Sequence, residues 1–303
     1  MASVIDRLPR NSRVAILRFR SLGDCVLTTP AIQLLHNYRP DLRIGVSVED
    51  RFREIFDGHP AVHEVLAPTI TAVRRFRPLL CLNFHGGTRS AWMTLLSGAQ
   101  YRAGFGHYRN QFAYNLRIPR AQEILGLERK VHTAEHLASA MFYLGVPRTG
   151  IPRARTAGLP AGHPAGRLAI FHAVAATPEK TWPAERFLEI ARHLAAHGLE
   201  PVFIGAAADD LSPFRAYRVQ TGLPLREVNQ LLSQAALFVG NDSGPAHMAA
   251  ACGLPVIVLF GSSDPEIWGP WQTAGEALHD PNGIAAIPVE RVIQALQRLR
   301  VPA

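Results

Sequence analysis

The sequence predicts an α/β protein made of two Rossmann-like parallel-sheet domains that face a cleft. Short apolar runs rich in branched residues alternate with helical patterns, and no hairpin signal separates consecutive strands. The alternation weakens near the middle of the chain and then restarts. A length of 303 residues also favours two domains, because domains of roughly 100–150 residues are the commonest size.

The first half opens with the apolar run 13–19, which predicts a strand, and continues into a helix that reaches about Tyr38. Pro30 lies inside this helix and predicts a break or kink near Thr29. Residues 104–120 show little periodicity, and we interpret them as irregular. The other predicted elements of this half are strands at 42–48, 62–66 and 79–84 and helices at 51–56, 88–97 and 133–144.

Residues 145–167 predict a linker, because they contain four prolines and five glycines and lack periodicity. We therefore place an N-terminal domain at residues 1–155 and a C-terminal domain at residues 156–303. The pattern leaves open whether the terminal helix packs back on the N-terminal domain.

The second half repeats the rhythm of the first. In paired sheets of this kind, the ligand is expected in the cleft at the carboxyl ends of the strands. The predicted elements are strands at 168–172, 201–205, 237–240 and 255–260 and helices at 183–197, 225–235, 246–251 and 289–299.

The composition is that of a globular protein, with 48% hydrophobic and 18% charged residues. The longest apolar runs fall short of the ~18 residues that a membrane span needs, and we see no secretory signal, so we expect a cytoplasmic protein.

Cys25, Cys81 and Cys252 lack metal-ligand spacing and are interpreted as buried apolar residues. The net charge of +8 suits an anionic lipid surface or a nucleic acid, but no nucleic-acid-binding module is present, so we expect no nucleic acid partner.

The most informative segment lies between a strand and a helix of small residues; it reads Asn241-Asp242-Ser243-Gly244-Pro245-Ala246-His247. Ser243 suits an N-cap, Gly244 lets a ligand approach the backbone, and Pro245 suits the first helical turn. Free N–H groups and the helix dipole there favour an anion such as a diphosphate. Asp242 could accept a hydrogen bond from a ligand hydroxyl. The alternative is a capped helix without a ligand, which leaves the carboxylate and His247 on the same loop unexplained.

Lys180 is one of only two lysines beside 30 arginines. A compact ammonium can approach a phosphate where a guanidinium does not fit, so we assign Lys180 to the donor diphosphate. Thr177 is expected to add a hydroxyl to the same anion, and Asp209 follows a strand at a position where a carboxylate often meets ribose hydroxyls. The alternative for Lys180 is chance, and Trp182 is expected in the core rather than as a platform for base stacking.

Asp24 follows the first strand on a loop expected to face the cleft. A carboxylate there can act as a general base on an acceptor hydroxyl, or it can cap the helix that follows. Gly23 allows a tight turn that keeps the cleft open. Arg18 and Arg20 flank the loop and are candidates for an anionic acceptor, although exposed arginines are usually only solvated charges.

His85 and Arg89 follow another strand of the first half and are candidates for the acceptor side, with a surface role for His85 as the alternative. We expect no metal ion, because the sequence contains no D-x-D motif and no histidine cluster at ligand spacing. We likewise expect no cofactor.

Three motifs in order resemble those of glycosyltransferase family 9, the ADP-heptose lipopolysaccharide heptosyltransferases of the GT-B fold. The resemblance spans nearly the whole chain, and it rests on Leu22-Gly23-Asp24 with Thr28-Thr29-Pro30, on Lys180-Thr181-Trp182-Pro183, and on Asp242-Ser243-Gly244-Pro245-Ala246-His247. It implies the GT-B fold and a general-base role for Asp24. An acidic residue is common in the family where this chain has Asn83, which removes a carboxylate role at that position.

The resemblance leads to the hypothesis of an inverting, metal-independent transfer of heptose from ADP-heptose to a lipopolysaccharide core acceptor. The implied partners are an ADP-sugar and an anionic glycolipid at the membrane surface, and we expect a monomer at or near the inner membrane. Two alternatives stay open: a nucleotide-sugar-binding protein without transfer activity, and heptosyl transfer to another glycan or a protein. A dinucleotide dehydrogenase is disfavoured because the glycine fingerprint is missing.

Overall fold

The protein divides into two compact units, residues 1–157 and 158–303. The computed structural model describes residues 3–158 and 166–299. Most of the predicted linker, 145–158 and 166–167, is described as irregular backbone, and its residues 159–165 lie outside the described part. The end of the N-terminal unit is held in place, because the amide N–H of Arg155 donates to Thr29 Oγ1 at 2.9 Å.

The N-terminal unit alternates strands and helices over its described length. Its elements are β1 (Arg13–Leu17), α1 (Leu22–Tyr38), β2 (Arg43–Ser47), β3 (Glu64–Leu66), α2 (Ile70–Phe76), β4 (Leu80–Asn83), α3 (Thr88–Leu95), β5 (Tyr101–Phe105), β6 (Leu116–Ile118), α4 (Ala121–Leu125) and α5 (Thr133–Leu144).

The C-terminal unit repeats this pattern. Its elements are β7 (Leu168–His172), α6 (Ala184–Ala196), β8 (Glu200–Gly205), β9 (Arg218–Thr221), α7 (Leu225–Ser233), β10 (Ala235–Asn241), α8 (Gly244–Cys252), β11 (Val256–Phe260), α9 (Pro265–Trp268), β12 (Gly275–His279) and α10 (Val289–Arg298).

Each unit contains a six-stranded sheet, in the orders β3-β2-β1-β4-β5-β6 and β12-β11-β10-β7-β8-β9. The strand pairs found in the described residues are parallel. Counted within its own unit, each sheet has the doubly wound order 3-2-1-4-5-6. The predicted α/β class with two Rossmann-like parallel sheets is therefore confirmed.

The central strands are apolar along their length because helices cover both faces of a parallel sheet. β11 is buried at all five positions, and α8 can pack closely because it consists mainly of alanine and other small residues. The terminal helix α10 places Val292 and Leu296 in the core of the C-terminal unit and packs against α6 and β11. Cys25 and Cys81 are buried as predicted, whereas Cys252 is half-buried.

The predicted break near Thr29 is wrong, because α1 runs without interruption past Pro30. Proline lacks the N–H that would bond to the carbonyl four residues earlier, which is that of Val26. The Thr29 hydroxyl donates to this carbonyl at 2.8 Å and satisfies it. A neighbouring side chain thus replaces the missing backbone hydrogen bond.

The irregular interpretation of residues 104–120 is wrong in part, because the segment includes the end of β5 and all of β6. β6 has only three residues and lies at the sheet edge, which leaves it too short for a periodic signal. The helix predicted at 51–56 is a 3₁₀ segment, Asp50–Ile55. None of the helices in the described ranges is long and apolar enough to cross a membrane.

Candidate functional sites

In a doubly wound sheet, ligands bind beyond the carboxyl ends of the strands where the strand order reverses. This switch point lies between β1 and β4 in the N-terminal unit and between β7 and β10 in the C-terminal unit. Asp24, predicted on a loop, lies in the first turn of the helix that follows β1, and the loop with His85 follows β4. The loop with Lys180 follows β7 and the loop with Asp242 follows β10. The strongest predicted residues of each unit therefore gather at that unit's own switch point.

Asp24 lies in the first turn of α1 and binds back to the residue that precedes the helix. Its Oδ2 accepts hydrogen bonds from the backbone N–H and the hydroxyl of Ser21, both at 3.0 Å. Its Oδ1 forms an ion pair with Arg18 Nη1 at 3.1 Å. The N-cap residue is Ser21, so Asp24 helps to cap the helix from position N3 and not as the N-cap itself, and it also has a cationic neighbour. A carboxylate has about four acceptor sites, so one site on Oδ1 is left for a substrate hydroxyl.

Arg18 is buried rather than solvated, with 8% of its surface exposed. Its Nε donates to Thr28 Oγ1 at 3.3 Å, and that hydroxyl donates to the carbonyl of Asp24 at 2.7 Å. Arg18 therefore stabilises the first turn of α1 from a buried position. Arg20 is exposed, whereas Gly23 is buried in the first turn of α1.

His85 and Arg89 both pack on Phe19. The His85 ring lies 4.7 Å from the Phe19 ring, and the Arg89 guanidinium lies 5.3 Å above it. Arg89 also donates to the carbonyl of Pro68. Burial, followed by the charges of Arg18 and Arg20, lowers the pKa of His85, so the ring is neutral at pH 7. Its Nδ1 is buried without a hydrogen-bond partner within the described residues.

Asn83 has a structural role at the end of β4. Its Oδ1 accepts from the backbone N–H groups of His85 and Gly86, both at 3.0 Å, and its Nδ2 donates to the Tyr114 hydroxyl at 2.9 Å. The amide therefore shapes the His85 loop and uses both its donor and its acceptor side. The loop therefore forms around an amide at this position and needs no carboxylate there.

A cluster of aromatic and histidine rings beyond the end of β5 was not predicted from the sequence. His136 stacks on Phe105 at 3.9 Å, and His107 lies 5.4 Å from His136. Burial and then the charges of His107 and Arg18 lower the pKa of His136 to about 4. Recognising β5 in the sequence would have placed His107 at the carboxyl edge of the sheet. His136 could not be placed in this way, because it contacts Phe105 and His107 only through the packing of α5.

Ser243 occupies the N-cap position of α8, but its side chain makes no capping hydrogen bond. Its Oγ is buried and has no hydrogen-bond partner among residues that the structure describes. Gly244 and Pro245 form the first two positions of the helix, and His247 lies buried in the first turn. The helix N-terminus thus offers backbone N–H groups and one uncommitted hydroxyl, which together suit an anion.

Lys180 lies beside this helix end. Its Nζ donates to Ser263 Oγ at 2.7 Å and lies 4.0 Å from Asp242 Oδ2. Gly261 sets this approach, because a Cβ at that position would come within 2.0 Å of the Glu179 carbonyl oxygen. The ammonium is therefore positioned by loops from β7, β10 and β11. Ser263 was missed in the sequence because nothing local marks it as a partner of a lysine 83 residues away.

Asn241 joins the Lys180 loop to β10. Its Oδ1 accepts from the backbone N–H of Trp182 at 3.0 Å, while its Nδ2 is buried and lacks a partner in the described ranges. Trp182 is fully buried and donates through Nε1 to the carbonyl of Ile287 at 2.9 Å, so it is a core residue. The Asn241 amide therefore has a free donor at the same end of the sheet as Ser243.

His172 ends β7 and was not identified from the sequence. Burial lowers the pKa of His172 to about 4, and its Nδ1 is another buried atom without a partner in the part of the chain described. Asp209 lies near enough to influence His172, but its Oδ2 accepts from the backbone N–H of Ala206 at 2.7 Å. Asp209 therefore stabilises the loop after β8 and lies near His172 at the switch point.

Thr177 precedes the 3₁₀ turn Pro178–Lys180 and is exposed. Hydrogen bonds from the backbone of Glu179 and from the side chain of Thr177 lower the pKa of Glu179. Thr177 thus shares the loop of Lys180 but uses its side chain locally. Within residues 3–158 and 166–299, no group of three His, Cys, Asp or Glu side chains could hold a metal ion.

Comparison with known proteins bears on both units. The sequence matches glycosyltransferase family 9 (heptosyltransferase) over residues 75–285. Lipopolysaccharide heptosyltransferase 3 of Escherichia coli K12 is 31% identical over 148 residues, which cover 40% of this chain and 42% of that protein. The alignment thus spans less than half of that relative. Lipopolysaccharide heptosyltransferase 1 of Pseudomonas aeruginosa is 27% identical and aligns over 85% of this chain and 81% of its own length.

The fold is also that of solved heptosyltransferases. Escherichia coli heptosyltransferase WaaC with ADP has a TM-score of 0.78 and 22% identity, over 95% of this chain and 100% of that one. The same protein has been solved with ADP-2-deoxy-2-fluoro heptose, with a TM-score of 0.75 and 21% identity over 94% and 99% of the two chains. This likeness confirms the predicted GT-B fold class. Because the family match covers more than half of the sequence and includes parts of both units, the chain belongs to glycosyltransferase family 9, the heptosyltransferase family.

Proposed function

We propose that this protein transfers heptose from ADP-heptose to a lipopolysaccharide core acceptor, with inversion at the anomeric carbon and without a metal ion. The observation that carries the proposal is the uncommitted, buried hydroxyl of Ser243 at the N-terminus of α8, beside the ammonium of Lys180. The family supplies the reaction class, and the names of the relatives supply the sugar and the acceptor.

The donor diphosphate binds at the N-terminus of α8. Backbone N–H groups and the helix dipole attract its negative charge, and the Ser243 hydroxyl donates a hydrogen bond to a phosphate oxygen. Lys180 adds a positive charge that Ser263 and Asp242 hold in place. The free Nδ2 of Asn241 and the neutral ring of His172 offer further polar contacts to the nucleotide sugar. A relative solved with ADP agrees with this class of ligand.

The N-terminal unit supplies the base. Asp24 has one acceptor site left on Oδ1, which can accept the proton of the acceptor hydroxyl. Arg18 keeps the carboxylate in one rotamer because it bonds to Asp24 and to Thr28. Arg18 is therefore a positioning residue, while Arg20, His85 and Arg89 remain candidates for acceptor contacts.

The reaction is one displacement. The acceptor oxygen forms a bond to the anomeric carbon as the bond from that carbon to the β-phosphate oxygen breaks. The proton moves to Asp24, and the electron pair leaves with ADP. Attack opposite the leaving group inverts the anomeric configuration. Lys180 and the helix N-terminus stabilise the charge that grows on ADP, which is the role that a divalent cation has in other transferases.

One observation favours the alternative of a nucleotide-sugar-binding protein without transfer activity. Asp24 already makes a complete helix-capping contact with Ser21, so its presence is accounted for without chemistry. Heptosyl transfer to a different glycan or to a protein is the other alternative. The two are separated by whether ADP is released and by which acceptor carries the new sugar.

We also propose that the protein acts as a monomer in the cytoplasm, peripherally at the inner membrane, where it meets an anionic glycolipid. The names of the relatives support a lipopolysaccharide acceptor. Cell fractionation with and without a salt wash tests the location, and light scattering of the purified chain tests the monomer.

The central experiment incubates the full chain with ADP-heptose and lipopolysaccharide from a strain that lacks its core heptoses. We expect ADP release that depends on the acceptor, a product heavier by one heptose in mass spectrometry, and activity that survives EDTA. NMR of the product gives the anomeric configuration. ADP-heptose binding without any product, over several acceptors, would favour the binding-protein alternative.

A further inference from the structure

The N-terminal unit exposes an apolar patch that the proposed chemistry does not use. Among the described residues, five large hydrophobic side chains are exposed, and three of them are Trp92, Leu96 and Phe112, at 48%, 41% and 54%. We name these three the docking patch. Trp92 lies on α3 and Leu96 directly follows it, so the two side chains share a helix face.

Two of the three side chains of the docking patch are in direct contact. The rings of Trp92 and Phe112 meet edge to face with centroids 5.5 Å apart. The loop that carries Phe112 is tied to the start of α3, because Asn110 Nδ2 donates to Thr88 Oγ1 at 3.3 Å. The two half-exposed aromatic rings therefore form one contiguous apolar surface.

The sequence around the patch has one sign of charge. Residues 65–122 contain eight arginines and no aspartate or glutamate. Removing these eight from the 32 basic residues of the chain leaves 24, which equals the 24 acidic residues, so this segment accounts for the whole net charge of +8.

Several of these arginines are exposed, on the segment that carries Phe112 or on a helix that contacts α3. Arg109 lies three residues before Phe112, and Arg74 and Arg75 lie on α2, which packs beside α3. None of these three forms an ion pair with another described residue. Their charge is therefore available to an external anionic partner.

We infer that the docking patch inserts into the interface of an anionic lipid bilayer while the surrounding arginines bind the lipid headgroups. Tryptophan and phenylalanine favour the boundary between headgroups and acyl chains, and each basic residue near an anionic surface adds attraction. A second copy of this chain is a poor occupant, because two faces of the same positive sign would repel each other. The inference rests on the proposed peripheral location and names the surface responsible for it.

The test measures vesicle binding of the full chain without donor or acceptor. Vesicles of phosphatidylcholine alone are compared with vesicles that also contain phosphatidylglycerol, by co-sedimentation and by the blue shift of tryptophan fluorescence. We expect binding at least about tenfold tighter to the anionic vesicles, which weakens as salt is added. Trp92→Ser and Phe112→Ser are each expected to weaken it about tenfold, and Arg75→Gln with Arg109→Gln to remove most of its salt dependence.

Tyr143→Ser is the matched control, because Tyr143 is 47% exposed on α5, outside the segment 65–122. It should leave vesicle binding within about twofold of wild type. Equal loss in Tyr143→Ser and Trp92→Ser, or no preference of the wild type for anionic vesicles, overturns the inference. A change from dimer to monomer in Trp92→Ser by light scattering, with no vesicle binding, also overturns it and assigns the patch to a second copy. Vesicle binding that persists in a chain without transfer activity leaves this inference standing and removes only the proposed reaction.

Discussion

The two units have the same sheet order and use the same switch point, but Asp24 in one and Ser243 in the other differ in how many of their side-chain polar atoms have partners. At the N-terminal switch point, the Asp24 carboxylate is bound by Ser21 and Arg18. At the C-terminal switch point, Ser243 Oγ and Asn241 Nδ2 are buried without partners in the described residues. A buried polar atom without a partner costs free energy in the unliganded protein.

This difference supports the proposal that a ligand completes the contacts of Ser243, whereas the protein itself supplies those of Asp24. A phosphate that bonds to Ser243 removes a desolvation cost, so the C-terminal site gains affinity from atoms left unsatisfied. A base gains from being held in one orientation, so Arg18 and Ser21 restrain Asp24 before any substrate arrives. The comparison therefore supports the proposal that the C-terminal unit binds the donor and the N-terminal unit supplies the base. The following variants test this division of roles between the two units.

The largest effect is expected for Asp24→Asn. The amide cannot take the acceptor proton, so the turnover number should fall by about 10²–10⁴-fold. ADP affinity should not change, because the diphosphate contacts are in the C-terminal unit. Steady-state ADP release gives the rate and calorimetry gives the affinity.

Asp41→Asn is the control for Asp24→Asn, because Asp41 is also a carboxylate paired with an arginine, Arg39, in the N-terminal unit. It should keep its turnover. Wild-type turnover in Asp24→Asn would remove Asp24 as the base and leave it the capping role alone.

Lys180→Met is expected to weaken ADP binding by about 10–100-fold, because a charged hydrogen-bond donor typically contributes 1.5–3 kcal/mol. The turnover number should fall too, since charge on the leaving ADP grows in the transition state. Lys130→Met, the only other lysine, lies in the N-terminal unit and should affect neither. If both lysine variants bind ADP like the wild type, the diphosphate is held elsewhere.

Ser243→Ala and Thr69→Ala separate ligand binding from helix capping. Ser243 makes no capping bond and its hydroxyl is buried without a described partner, so its loss should weaken ADP binding by about three- to tenfold without lowering the melting temperature. Thr69 Oγ1 accepts from the N–H of Ala72 at the start of α2, so its loss should cost about 1 kcal/mol of stability without affecting ADP. A Ser243→Ala protein that is less stable but binds ADP normally would contradict the assignment.

The effect of pH on stability is expected to come in part from the buried ring of His172. Burial lowers the pKa of His172 to about 4, whereas an unfolded histidine titrates near 6.5. Below pH 6.5 His172 is therefore protonated in the unfolded chain but stays neutral in the native chain. The free energy of unfolding falls as the pH drops towards 4. His172 should contribute on the order of 1–3 kcal/mol to this loss by pH 4.5.

Denaturant unfolding of His172→Gln at several pH values measures that contribution. The slope of the unfolding free energy against pH should become shallower, although His59 and His136, also with pKa values of about 4, keep part of it. His279→Gln, at an exposed position, is the control and should keep the wild-type slope. An unchanged slope in His172→Gln would mean that the ring is not buried in its neutral form.

The fold was predictable where the apolar pattern is strong. β1 and β11 are buried, branched runs, and both were identified close to their observed ends. β9 and β12 were missed because they lie at the edge of their sheet and carry polar or small residues, such as Arg218 and Gly275. The break predicted at Pro30 does not form because the Thr29 hydroxyl donates to the carbonyl of Val26, which proline leaves without its backbone partner.

The site was predictable where its chemistry is local. Asp24 and Ser243 were identified because each lies where a strand passes into a helix, and that position alone indicates a cap or an anion site. Arg18 was identified but interpreted as an acceptor contact, since its sequence neighbourhood does not reveal that it is buried against Asp24.

The sequence by itself determined the alternation of strands and helices, the family and the loops that carry charge. The tertiary structure alone decided which atom each polar group meets. Lys180 bonds to a serine 83 residues away and Asn241 to the backbone of Trp182, 59 residues away, because the doubly wound order brings the carboxyl ends of β7, β10 and β11 together. Hydrophobic periodicity specifies elements, but the satisfaction of polar atoms depends on packing between elements distant in sequence, which no local pattern encodes.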